Sequence, residues 1–89
     1  MEALLGYFAA VFTTLSFLPQ VLRVILTKQT RDISRNMYIL LGVGVFLWLI
    51  YGFSKSDLPI ILANAFTLIF VLIILYYKLQ TEENQKNEP

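Results

Sequence analysis

FLPQVLRV, residues 17–24, sets a proline beside a glutamine near the end of a stretch that carries no charge from Ala3 to Leu22. Pro19 cannot donate a backbone hydrogen bond, and in a helix its ring crowds the carbonyl of Leu15. Gln20 carries an amide that hydrocarbon does not solvate. The two costs side by side indicate that this part of the segment faces something other than lipid.

Outward from that stretch, two more segments lack charge, Asn36–Ser54 and Leu58–Tyr77, in a chain of 89 residues that is 57% hydrophobic. The mean hydropathy is +0.67. Each segment is close to the ~20 apolar residues that cross a bilayer core of ~30 Å. The expected fold is therefore an all-α membrane protein, a bundle of three transmembrane helices at about 3–26, 36–54 and 58–79. The bundle fills residues 1–80, and LQTEENQKNEP (79–89) reads as a frayed helix end followed by a polar cytoplasmic tail over 81–89. The first segment reads as a retained helix and not a signal peptide, because it opens on Glu2 and shows no small-residue cleavage site.

The chain has no cysteine and no histidine, so thiol chemistry, disulfides and the commonest metal ligands are excluded, and no cofactor is expected. A net charge of +1 gives no reason to expect a nucleic-acid partner. No nucleophile–base pair or phosphate loop is visible, so an enzyme is not expected.

Basic residues set the orientation, since Lys and Arg near helix ends are retained in the cytoplasm. Positions 23, 28, 31, 35, 78 and 86 fall on one side, against Lys55 alone on the other. The first connection and the C-terminus should be cytoplasmic and the N-terminus outside, in a cell membrane. Ser34 or Asn36 can cap the second helix, and Pro59 suits the first turn of the third. Three helices ~10 Å wide enclose no solute path by themselves. Since all copies insert the same way up, the simplest closed arrangement is a parallel two-fold dimer.

Polar groups recur along the spans at helical spacing. Ala9, Thr13, Ser16, Gln20, Arg23 and Thr27 share one face of the first helix. Met37, Leu41, Gly44, Trp48, Tyr51 and Lys55 share one face of the second. Helix packing accounts for the first stripe equally well, since small and hydroxyl residues let membrane helices approach. The aromatic belt is the competing account of Trp48 and Tyr51. By helical rise, however, Trp48 lies about 8 Å inside the outer end and Asn64 about 9 Å. An indole face and a carboxamide at one level suit a polyhydroxylated ring; the competing account of Asn64 is a bond to a neighbouring helix. No Asp, Glu, Lys or Arg sits in the middle of any span. Ion-coupled carriers and cation exporters generally need one there, so a neutral solute carried passively is expected.

Three helices, the Pro19–Gln20 pair, Trp48 and Asn64 together make residues 4–78 resemble the SemiSWEET sugar transporters, bacterial relatives of the SWEETs in the PQ-loop group. SWEETs are themselves an example of parallel repeats about an axis along the membrane normal. The resemblance implies a parallel homodimer of bundles in spatial order 1-3-2, in the bacterial inner membrane. It also implies uniport of a mono- or disaccharide by alternating access, with Trp48 and Asn64 of both copies holding the sugar. Tyr51, Lys55 and Asp57 match an outer gate, although lysine loses the bidentate geometry of arginine. Met37 and Leu41 match an inner constriction, and Pro19 with Gln20 a hinge, whose inner segment would swing while the outer stays packed. The reading from another class is a small assembly subunit whose polar stripes only join helices.

Overall fold

The computed structural model describes residues 2–86. It contains three helices: α1 (Glu2–Thr27), α2 (Arg35–Ser54) and α3 (Leu58–Lys86). All three are long and apolar enough to span a membrane. Their ends follow local chemistry. Lys28 adopts φ 57° after α1, and its N–H donates to the Val24 carbonyl at 2.7 Å. Of the two candidate caps for α2, Ser34 serves: its Oγ accepts the Met37 N–H at 3.2 Å. Asp57 caps α3, its Oδ1 accepting the Ile60 N–H at 3.2 Å, with Pro59 in the first turn.

One expected boundary moves. α3 does not end at 79 but continues to Lys86, so residues 81–86 of the expected tail are helical. The physical reason is that Leu, Gln, Glu and Lys favour helix and that these turns find partners. The Glu82 carboxylate lies 3.4 Å from the Arg35 guanidinium, and the Thr81 hydroxyl donates to the Tyr77 carbonyl at 2.9 Å. The rest of the expected tail, 87–89, lies outside the described residues.

α3 packs against both α1 and α2, while α1 and α2 make no close backbone approach among the described residues. Two glycines set the contacts near the 54–57 turn. A Cβ on Gly6 would meet Pro59 Cβ at 3.1 Å, and one on Gly52 would meet Ile60 Cγ2 at 2.9 Å and the Ile61 backbone nitrogen at 3.2 Å. Within hydrocarbon such close fits hold helices together by dispersion, because no water is expelled.

The buried cluster lies toward the opposite, basic end: Val21 and Val24 of α1, Ile33 of the connection, Tyr38 of α2, and Val71 and Ile74 of α3. The Cα envelope measures 57 × 23 × 14 Å. Its thinnest dimension is little more than one helix diameter of ~10 Å, so the chain is a slab that encloses nothing.

Candidate functional site

At the 54–57 end, the gap between α1 and α2 forms a cleft of about 960 Å³ with α3 as its floor. That volume is at the upper end of the range for small-molecule sites, ~300–1,000 Å³. Trp48 and Asn64 both line it, as their common depth predicts. Trp48 is 55% exposed and meets Tyr51 edge-to-face, with ring centroids 5.7 Å apart and planes at 89°. At that exposure the indole keeps surface available for stacking.

The polar groups of the cleft share one feature. Asn64 donates an amide hydrogen to the Ile60 carbonyl of its own helix at 2.9 Å. Thr13 donates to the Ala9 carbonyl at 3.0 Å, and Thr67 to the Ala63 carbonyl at 2.8 Å. Each hydroxyl proton is thus committed within its own helix, while the oxygen lone pairs remain available. The amide oxygen of Asn64 adds a third acceptor. Within the chain, Asn64 bonds its own helix and not a neighbouring one, so it does not join two helices here. Charges stand only at the mouth, from Glu2, Lys55 and Asp57.

Of the expected outer-gate residues, Lys55 and Asp57 line the cleft and Tyr51 touches it through Trp48. Among the described residues the ion pairs are Arg23–Asp32 and Arg35–Glu82, and Lys55–Asp57 is not one of them. Instead Asp57 spends one oxygen as the cap of α3. An aspartate just before a proline-bearing first turn is itself a cap signal, and this role was legible in the sequence.

Of the expected inner-gate pair, neither residue lines the cleft or the pocket at the basic end. Met37 is 52% exposed, and Leu41 is half-buried against the core cluster. The pocket at the basic end, about 350 Å³, is lined instead by residues of α1 and the connection, including Gln20, Arg23, Arg31 and Asp32. Arg23 and Asp32 approach to 4.0 Å, but at 67% and 88% exposure the pair is screened and adds little stability.

The two parts of α1 on either side of Pro19 are buried to different depths. The buried residues of α1 are Val21 and Val24, both after the proline. The segment before Pro19 carries none, and it meets the rest of the bundle through half-buried Gly6, Ala10, Thr14 and Phe17, with Gly6 close against Pro59.

Fold and cleft together define a polytopic membrane protein with a solute-sized cleft whose charges stand only at its mouth. A family model described as sugar efflux transporter for intercellular exchange matches residues 3–84, and the chain belongs to that family. It is 72% identical over 85 residues to the sugar transporter SemiSWEET of Leptospira biflexa, covering 96% of this chain and 99% of the relative. The sugar transporter SemiSWEET of Bradyrhizobium diazoefficiens is 42% identical over 77 residues, covering 86% and 90% respectively. Among solved structures, that of SemiSWEET in the inward-open conformation superposes with a TM-score of 0.90 at 38% identity, covering 97% of this chain and 95% of that one. These relatives are named as transporters, not enzymes.

Proposed function

We propose that this chain is a facilitative carrier of small neutral sugars, a mono- or disaccharide such as glucose or sucrose, working by alternating access as a parallel homodimer. One observation carries the reading. Inside its charged mouth, the cleft between α1 and α2 is neutral and offers an indole beside three hydrogen-bond acceptors, matching the donor-rich rim and apolar faces of a sugar ring. With no ionisable group at mid-span to bind an ion or proton, the sugar equilibrates down its own gradient.

Two slabs facing each other, each in spatial order 1-3-2, would close their clefts into one chamber. Trp48 and Asn64 of both copies would hold the ring, with Tyr51, Lys55 and Asp57 closing the outer side and Met37 and Leu41 the inner. The surplus of Lys and Arg at the 28–35 and 78–86 end supports an orientation with that end in the cytoplasm and the N-terminus outside, and the membrane of this reading is a bacterial inner membrane. Pro19, with Gln20 beside it, is the pivot between the two parts of α1.

The test is counterflow of radiolabelled sugar in liposomes holding purified protein. Trp48→Ala and Asn64→Ala should each abolish counterflow while the dimer persists. Loss of the dimer with either variant would favour the assembly-subunit reading.

A further inference from the structure

The connection between α1 and α2 is polar in sequence, yet it is not a free loop. Thr30 is 1% exposed and Ile33 8% exposed. Lys78, from the far end of the sequence, donates through Nζ to the Thr30 carbonyl at 3.0 Å. One turn further along α3, Glu82 meets Arg35 at 3.4 Å. Both contacts run to α3 from residues 30–35, and both stand at the opposite end of the bundle from the cleft. A loop carbonyl buried against a helix has lost water and requires a donor. A lysine supplies one on a long stem that keeps its charge near the membrane surface. The Thr30 hydroxyl oxygen is buried without a partner, so the anchored group is the backbone carbonyl.

We propose that Lys78 is a positioning residue for transport. Its bond to the Thr30 carbonyl, backed by Arg35 and Glu82, straps the connection to α3. The connection, the part of α1 after Pro19, and α3 then travel as one body. A bend at Pro19 is then a movement of the segment before it, which packs without a fully buried residue. The transport role rests on the carrier reading above; the strap itself does not. Without the strap the connection lifts and the pivot loses its fixed base, while the sugar contacts, at the other end, are untouched.

The chain has no native cysteine, so a single Ile33→Cys in liposomes reports one site. With Lys78 present, a membrane-permeant maleimide should label it slowly. Adding Lys78→Met should speed labelling about tenfold, the scale of one lost charged hydrogen bond, and Lys78→Arg should restore the slow rate. Should the methionine variant fail to insert, Lys78→Gln takes its place. In counterflow with Ile33 intact, Lys78→Met should lower the maximal rate several-fold at unchanged half-saturating sugar, and Lys78→Arg should rescue it. Equal labelling with and without Lys78 overturns the strap. Unchanged maximal rate, or a shift confined to half-saturation, overturns the positioning role. No counterflow in the parent protein overturns the carrier reading and the transport role with it, while labelling still decides the strap.

Discussion

Asp57 sits where two demands meet. As the cap of α3 it accepts the Ile60 N–H, and as a mouth residue of the cleft it presents a charge near Lys55. Two substitutions separate these roles. Asp57→Asn keeps a capping oxygen and removes the charge, so thermal stability in detergent should stay near that of the parent while counterflow changes. Asp57→Ala removes both, and should lose about 1 kcal/mol of stability in addition. If Asp57→Asn transports like the parent, the carboxylate has no gating role. At this scale the sequence was most informative about depth: Trp48 and Asn64 could be set level from helical rise alone. It did not reveal that Asn64 and both threonines turn their hydrogens back onto their own helices, because that depends on rotamers and not on spacing.

For the elements, the uncharged segments located all three helices, and the cap at Ser34 was one of two candidates in the sequence. α3 ran past its expected end because its polar turns are stabilised by Arg35, a residue 47 positions away, and such a partner is invisible to a local reading. The deeper burial of α1 after Pro19 was likewise set by tertiary contacts of Val21 and Val24. Glycine substitutions test the helix contacts. Gly52→Ala places a methyl 2.9 Å from Ile60 Cγ2 and close to the backbone of α3, and should cost about 1–3 kcal/mol in a denaturant titration. Gly44→Ala meets nothing within 4 Å in the chain and should leave that titration unchanged. A loss of transport or of dimer in Gly44→Ala would then mark the face where a second copy sits. Pro19→Ala restores a backbone donor to α1 and should slow exchange by holding one state; counterflow at the parent rate would remove the hinge role.

The whole molecule is a slab 14 Å thick in its Cα envelope, with a cleft that opens sideways. The sequence made this architecture readable through helix count and charge asymmetry, whereas the uneven packing, with the buried cluster gathered at the basic end, was not. Two measurements belong here. Counterflow should be the same with and without an imposed pH gradient, because no mid-span carboxylate or amine exists to couple protons. Cross-linking in the membrane should capture pairs of equally oriented copies. A monomeric active particle, or inverted neighbours, would contradict the shared chamber.

A thin wall has a genetic corollary. If each chamber is assembled from two separately made halves, an inactive but well-folded copy does not merely fail to contribute. It recruits intact copies into dead pairs, so co-expressing Trp48→Ala with the parent should depress uptake by more than the parent's diluted share, and tethering two parent copies in one polypeptide should make them immune to that poisoning.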